Sequence, residues 1–487
     1  MALKIYNSLT RQLEEFVPLH EGKVLMYSCG PTVYDYFHIG NARTFLISDI
    51  VRRYLEYKGY TVTMAQNLTD IDDKIINRAN EQGIEAAELA QKYVDAYFED
   101  SSQLGIRAAD VHPRATEHIS EIITLIQTLI EKQAAYEIDG DVYYRVNHFE
   151  EYGKLSHRKP EDLLAGARVE VDERKEDPRD FDLWKRSKAE EPWWDSPWGK
   201  GRPGWHIECS AMAMKHLGET IDIHTGGHDL IFPHHENEIA QSEVATGKTF
   251  ARYWMHVAFL QIDGRRMGKS ESNFIFVHDA VQQYAPEAIR HFLISAQYRH
   301  PLDYNPTSLT ESSSAVRRLN NCLDALRPYR DADGDLSEVL NDAEAARTLE
   351  SINTMHRNFE SAMDEDLNTA GALGAIFKFV GEVNQFLIAT EGVSSDERGN
   401  VLSRAYKSLV EVCSVLGIYA EEEVASDAHA ALTEQLMNLI LEVREDARQR
   451  KDWETADKIR DQLEQLNVEL QDSRGGTTWK IIKGQKG

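Results

Sequence analysis

Residues 24–43 read VLMYSCGPTVYDYFHIGNAR, and residues 44–66 continue TFLISDIVRRYLEYKGYTVTMAQ. The run 24–28 is a short apolar strand, and Gly30-Pro31 breaks it. From about Ala42 to Lys58, Phe45, Leu46, Ile50, Tyr54 and Leu55 recur at helical spacing, and Gly59 supplies a C-cap. Residues 61–66 then alternate as a strand. Strand, helix and strand in this order make a βαβ unit, so the N-terminal part of the chain is expected to be a parallel sheet with covering helices.

Working outward, the pattern changes near Asp110. A helix is expected over about Thr116–Gln133, then a hairpin from Tyr136 to Tyr144 turning at Asp139-Gly140, then a charged stretch around Asp172–Asp180. The Trp/Pro/Gly-rich run Pro192–Trp205 reads as a long loop. This region is expected to be an insertion into the sheet domain. The α/β pattern resumes with a strand at 221–224, a helix at 234–246 and a strand at 254–262. A polar Gly-rich loop follows at 263–273. From Thr307 to Leu466 the chain is mostly amphipathic helix, and the end from Asp472 reads as short and loop-like.

The chain has 487 residues, which at about 100–200 per domain implies roughly three or four domains. Apolar residues make up 42% and charged residues 28%, which excludes a collagen, a coiled rod and a long disordered chain. The net charge is −27, so any nucleic acid must be met by local basic patches. Cys29, Cys209, Cys322 and Cys413 are far apart with no CxxC pair, which points to a reducing compartment. The N-terminus lacks the apolar core of a signal peptide, and no run of about 18 apolar residues is found. A cytoplasmic protein is expected.

Two segments carry phosphate chemistry. His38-Ile39-Gly40-Asn41 opens the first helix, where unpaired N–H groups and the dipole favour an anion. His38 can donate to a phosphate oxygen, and Gly40 lets a nucleotide approach the backbone. Alone, this is equally a tight turn with a capping His. Residues 263–274 combine Arg265, Arg266 and Lys269 with Gly264 and Gly268. A mobile Lys269 could close over phosphates, although a solvated basic loop reads the same way in isolation. Together, on successive halves of one sheet, the two are hard to obtain by chance.

His38-Ile39-Gly40-Asn41 and Arg266-Met267-Gly268-Lys269-Ser270 resemble the two signatures of class I aminoacyl-tRNA synthetases, named after HIGH and KMSKS. Asn41 stands in place of the second His, Arg266 in place of Lys, and Gly268 in place of Ser. Lys269, on which that family relies in the transition state, is kept. Four longer segments, Cys29–Tyr34, Asn67–Lys74, Gly204–Ser210 and His224–Glu238, resemble the cysteinyl-tRNA synthetase family, and the resemblance runs over nearly the whole length.

That resemblance implies a Rossmann-type parallel sheet with an inserted connective domain, an all-α bundle and a small C-terminal anticodon-binding module. The expected boundaries are 1–110 and 201–262 for the catalytic halves and 111–200 for the insertion. They continue with 263–306 for the lid loop and stem-contact region, 307–420 for the bundle and 421–487 for the anticodon module. It implies that ATP, L-cysteine and tRNA(Cys) are converted through cysteinyl-adenylate. His38 and Lys269 are the implied catalytic residues. Gly30, Pro31, Thr32, His38, Gly40, Asn41, Asp229, Arg266, Met267, Gly268, Lys269 and Ser270 would bind ATP with Mg²⁺. Thr69, Trp205 and His224 would bind cysteine.

It implies one Zn²⁺ on Cys29, Cys209, His234 and Glu238, with both cysteines at strand ends. His234 and Glu238 sit four residues apart on one helix face, and thiolates with imidazole and carboxylate suit Zn²⁺. Spacing alone does not assemble this set, because a lone Cys is more often a buried small hydrophobe. A zincin motif fails, since residue 239 is Ile239. Zinc would separate cysteine from serine without an editing domain, which an apolar pocket could not do.

Arg448, Asp457 and Asp472 match positions where the family contacts anticodon bases, and Trp479 can stack on an unpaired base. The basic residues from Arg444 to Arg460 are interleaved with five acids, so a solvated helix face is also consistent with them. A monomer is expected by resemblance. A cysteine:amino-sugar ligase with the same zinc site, or a synthetase-derived RNA-binding protein without catalysis, are the alternatives. The Trp479 segment weighs against the first, and the retained His38, Lys269 and metal ligands weigh against the second.

Overall fold

A computed structural model describes residues 2–158, 173–188, 190–262, 264–267, 274–332, 334, 343–391, 396–419, 427–466, 468–473 and 476–481. The chain opens with an antiparallel hairpin, β1 (Lys4–Asn7) and β2 (Gln12–Glu15). The βαβ unit follows as β3 (Lys23–Ser28), α1 (Ile39–Tyr57) and β4 (Thr61–Gln66). Helix α1 starts three residues before Ala42, because His38 caps it. Helices α2 (Asp73–Gln82) and α3 (Ala86–Gln103) come next.

The inserted region holds α4 (Ile119–Glu131) and β5 (Ala135–Ile138). It continues with β6 (Asp141–Tyr144), β7 (Phe181–Arg186) and β8 (Gly201–Pro203). These strands form one antiparallel sheet in the order β5-β6-β7-β8. The expected long loop therefore contains a strand. Trp184 pairs with Pro203, so residues 201–203 belong with the insertion and not with the second catalytic half. A small core of Ile122, Ile126, Tyr144, Leu183 and Trp184 holds this sheet against Ile207 and Ala240.

Helix α5 (Trp205–Leu217), β9 (Ile221–Gly227), α6 (Glu236–Thr246) and β10 (Ala251–Val257) complete the catalytic sheet. Its strands are all parallel in the order β10-β9-β3-β4. Such a sheet is buried on both faces, which is why its strands read as continuous apolar runs. The expected strand 254–262 is two strands, β10 and the separate β11 (Leu260–Ile262), which pairs with β12 (Arg265–Arg266). Helices α7 (Val277–Gln283) and α8 (Pro286–Leu293) and strand β13 (Leu302–Tyr304) lead out of the domain.

The bundle is α9 (Pro306–Leu326), α10 (Ala343–Asp364), α11 (Thr369–Ala389) and α12 (Asp396–Leu416). Among the described residues, α11 alone is long and apolar enough to cross a membrane. It buries Ala372, Ile376, Phe379, Val380 and Val383 within the bundle. The chain ends in α13 (Asp427–Gln449), α14 (Trp453–Gln465), β14 (Val468–Ser473) and β15 (Gly476–Ile481). The last two form a hairpin in place of the expected loop, because Val468, Leu470 and Trp479 alternate inward onto Met437 and Leu463.

One buried joint ties bundle to sheet domain. Arg290 of α8 is 1% exposed. Its Nη2 reaches Asp49 Oδ2 of α1 at 2.8 Å, its Nε reaches the Leu416 carbonyl of α12 at 2.8 Å, and its Nη1 reaches Gly105 at 2.9 Å. A Cβ on Gly417 would meet the Arg290 guanidinium at 2.2 Å, so the glycine leaves the room that this side chain fills.

Candidate active site and metal centre

The turn after β3 is built by close backbone approach. A Cβ at Gly30 would lie 1.7 Å from the Asn67 carbonyl oxygen, so only glycine fits. Its N–H donates to Asn67 Oδ1 at 2.9 Å, and Val33 donates to the Thr69 carbonyl at 3.1 Å. His38 then caps α1: its Nδ1 accepts from the Asn41 N–H at 3.1 Å, and Asn41 Oδ1 accepts from the His38 N–H at 3.4 Å. Asn41 thus closes a capping box. With Nδ1 accepting, the neutral ring carries its proton on Nε2, the nitrogen able to donate to a phosphate.

The two signature segments meet. A Cβ on Gly40 would be 2.7 Å from Met267 Cε. Beyond the loop, Ile39 donates to the Ile275 carbonyl at 2.9 Å and Val277 donates to Phe37 at 3.1 Å. Gly268, Lys269 and Ser270 lie outside the described residues, as does the side chain of Arg266.

A cavity of about 330 Å³ is lined by Cys29, Gly30, Pro31, Thr32, His38, Gly40, Asn41, Trp205, Asp229 and Met267. It also takes Thr44, Tyr34 and Lys74, which the motifs alone gave no role. The Lys74 ammonium stands 5.7 Å from the Tyr34 ring centroid and 5.9 Å from that of Trp205. Thr69 and His224 do not line this cavity. Thr69 is buried behind it and donates to Glu208 Oε2 at 3.2 Å.

Directly below Cys29, four donor atoms gather. The sulfurs of Cys29 and Cys209 are 3.9 Å apart, Cys29 Sγ is 3.6 Å from Glu238 Oε1, and His234 Nε2 is 3.0 Å from the same oxygen. All four ligand atoms lie within 4.8 Å of one another. Two thiolates on a tetrahedral zinc at about 2.3 Å would stand about 3.8 Å apart, so the cysteine pair already has the required spacing. Cys29 does follow a strand, but Cys209 sits inside α5 and not at a strand end. The insertion returns as a helix that points Cys209 at the site. His234 is fixed by the stacked Trp205 ring at 4.3 Å and by His206 at 3.0 Å.

A second set overlaps the first: Cys29, His224, His235 and Glu238 also bring their donor atoms within 4.8 Å. Glu238 serves both, holding His224 Nε2 on Oε2 at 2.9 Å. His235 Nε2 is 3.3 Å from Cys29 Sγ, and its Nδ1 meets His256 Nε2 at 2.8 Å. Sequence reasoning missed His235. Its spacing of three from Glu238 in a run of two histidines is the signal that was there.

Electrostatics follow from burial and neighbours. Burial pushes the Cys29 thiol well up, aided by the hydrogen bond to Cys209. That same hydrogen bond lowers Cys209 to about 6 against its own burial. Burial opposes charge on His234, yet Cys209 and Glu238 raise it to about 10. Burial likewise opposes charge on Glu238, yet His224 and His234 hold it at about 2.

In the C-terminal module, Trp479 is half-buried against Met437, Leu463 and Val468. Arg444 is 5% exposed and reaches Thr477 Oγ1 at 3.3 Å, so it pins the hairpin. Arg448 lies near the end of α13, and Asp457 is exposed and pairs with Arg460 at 3.2 Å. The Asp472 backbone pairs with Thr477, and its side chain is outside the described residues.

Residues 15–314 match the family model of the class I (C) tRNA synthetase catalytic domain, and residues 358–421 match the DALR domain. Residues 429–479 match the cysteinyl-tRNA ligase anticodon binding domain. The fold is shared with Mycobacterium tuberculosis methionyl-tRNA synthetase bound to methionyl-adenylate, at TM-score 0.57, 15% identity, 81% of this chain and 90% of that one. It is also shared with the Agrobacterium radiobacter agnB2 LeuRS in its tRNA complex, at TM-score 0.60, 11% identity, 82% of this chain and 85% of that one. Sheet, insertion and signature pair thus define a class I aminoacyl-tRNA synthetase. The cysteine–tRNA ligase of Bacillus licheniformis is 48% identical over 480 residues, 99% of each chain. That of Thermococcus gammatolerans is 48% identical over 483 residues, 99% of this chain and 100% of its own. This chain belongs to the cysteine–tRNA ligase family. It is an enzyme, a cysteine-specific aminoacyl-tRNA ligase, and the amino-sugar ligase and non-catalytic alternatives are not favoured.

Proposed function

We propose that this chain selects cysteine with a Zn²⁺ held by Cys29, Cys209, His234 and Glu238 and activates it in the adjoining cavity. The observation that carries the reading is Cys29, which lines the cavity and also belongs to the buried donor cluster. The cysteine carboxylate attacks the α-phosphate of ATP, expelling pyrophosphate. The terminal ribose hydroxyl of tRNA(Cys) then takes the cysteinyl group and AMP leaves. When bound, zinc supplies a bond to sulfur that a serine hydroxyl, still protonated at neutral pH, matches poorly.

The rest falls to side chains. A carboxylate nucleophile is already ionised, so positioning and charge neutralisation are what the step needs. His38 donates from Nε2 to a phosphate oxygen, beside the N–H groups that open α1. Gly30, Pro31, Thr32, Gly40 and Met267 wall the nucleotide. Arg266, Gly268, Lys269 and Ser270 close on its phosphates together with Mg²⁺. Asp229 suits the substrate ammonium or the ribose. Trp205 orders the cysteine side of the pocket by stacking on His234. Thr69 supports that side from behind through Glu208, and His224 does so by holding Glu238. Arg448, Asp457, Asp472 and Trp479 belong to the anticodon side. The enzyme works as a monomer in the cytoplasm.

The test is pyrophosphate exchange with cysteine and with serine, plus metal content, for the wild type and Cys209→Ser. The expected result is one zinc per chain and strong cysteine preference in the wild type, with both lost in the variant. A metal-free wild type that still prefers cysteine overturns the reading.

A further inference from the structure

Tyr27 lies on β3 two residues before Cys29, so the two side chains leave the same face of the strand. Helix α5, which carries Cys209, packs against that strand, and Tyr27 pairs with His224 of β9 in the sheet register. The Tyr27 side chain is fully buried, and its ring centroid stands 5.2 Å from that of His224. The apolar cluster that holds it contains Ala213, Ile239, Phe250 and Trp254, together with Cys29 and Cys209. Its hydroxyl is buried and makes no hydrogen bond in the structure. Tyr27 does not line the adenylate cavity, so that hydroxyl is not there to meet the nucleotide.

An unpaired buried hydroxyl is penalised, and phenylalanine would pack the same strand without the penalty. The hydroxyl calls for an acceptor, and its surroundings supply one. Burial first, then the charges of Cys209, Cys29 and Glu238, hold the phenol well above its ordinary pKa. Cys209 is the one of these within its reach, short of hydrogen-bond geometry. A phenol that keeps its proton is a donor, and a thiolate bound to a metal is a good acceptor for it.

We propose that Tyr27 is a positioning residue of the metal centre, its hydroxyl donating to the Cys209 sulfur when that sulfur holds a divalent cation. The hydrogen bond orients Cys209 and draws charge from it, which leaves the cation more bonding capacity for the substrate thiolate. The proposal rests on the reading that a metal sits on Cys29, Cys209, His234 and Glu238, and it adds a residue from outside that set. Hydrogen bonds to ligand atoms are a general means of tuning a metal site.

The experiment uses the full chain carrying Tyr27→Phe, which removes one oxygen and keeps the ring. Wild type and variant are stripped with a chelator and reloaded with Co²⁺ as the probe. Thiolate-to-cobalt charge transfer moves to higher energy when the sulfur accepts a hydrogen bond. The variant is therefore expected to absorb at longer wavelength than the wild type, and its Co²⁺ affinity, read by chelator competition, to fall about 10–100-fold. In the zinc-loaded enzyme at saturating metal, the KM for cysteine in pyrophosphate exchange should rise several-fold while kcat stays within about twofold. Placing 4-aminophenylalanine at position 27 returns an N–H donor and should restore both band and affinity. Should Tyr27→Phe not fold, 4-aminophenylalanine and 4-methylphenylalanine at this position, matched in size, read the same difference between a donor and none. An unchanged band with unchanged affinity overturns the proposal. So does a shift that the amino analogue fails to reverse, which would make the effect one of packing. A wild type that takes up no Co²⁺ would instead sink the metal reading on which the proposal rests.

Discussion

Asp49→Asn tests the joint between the catalytic helix and the bundle. Asp49 is 2% exposed and faces three guanidiniums: Arg290 and Arg53 at 2.8 Å each, and Arg107 at 3.3 Å. Arg53 and Arg107 keep 17% and 38% of their side chains in solvent, so their pairs are screened and worth about 0–1 kcal/mol each. The cost resides at Arg290, whose buried charge would lose its only carboxylate among the described residues. Breaking such a buried pair costs about 3–5 kcal/mol. Burial alone would raise the Asp49 pKa, but Arg290 and its neighbours hold it below the ordinary value. A depressed carboxyl contributes stability above its unfolded pKa of about 3.9 and loses it as pH falls through the folded value. Urea unfolding from pH 3 to pH 8 should therefore show a gap of about 3–5 kcal/mol that is flat above about pH 5 and closes in acid. A gap below about 1 kcal/mol at neutral pH, or one that widens in acid, refutes the assignment.

His38→Asn should keep the helix cap but, with a side chain too short to carry the donor where the imidazole Nε2–H reaches, should lower exchange while stability holds. His38→Ala should also lose about 0.5–2 kcal/mol by denaturation. Gly30→Ala forces a methyl onto the Asn67 carbonyl and should cost about 1–3 kcal/mol or more together with cysteine exchange, and a normally active variant would contradict the turn geometry. Metal loading of chelated protein should weaken as pH falls, since His234, raised to about 10, and the raised Cys29 thiol must give up protons to bind an ion. Titration with zinc at pH 6 and pH 8 reads this, and equal affinity would oppose it. Arg444→Ala should leave exchange intact and reduce tRNA charging by loosening the terminal hairpin, which filter binding of tRNA would register.

The catalytic sheet was legible because 24–66 carries two periods in the right order, and the capping His at its centre is a local feature. The metal set was not legible from spacing. Cys29 and Cys209 are 180 residues apart, and only the parallel pairing of β3 with β9 and the return of the insertion as α5 bring them together. Placing Cys209 at a strand end rested on the resemblance to the class I sheet, and it failed because the chain turns into α5 at Trp205, directly after β8. The hairpin at 468–481 was hidden by polar residues on its outer face, although Val468, Leu470 and Trp479 keep a two-residue period on the inner one. Lys74 and His235 were in quoted motifs, but what they face is a property of tertiary packing.

The Arg290 joint also has a temporal side. Asp49 and Arg290 both lie upstream of the bundle, whereas the Leu416 carbonyl that caps the same guanidinium leaves the ribosome 126 residues later. Domains tend to fold in order of emergence. The nascent catalytic half can thus set its socket with Asp49 and Arg290 first, and the end of α12 arrives as the plug.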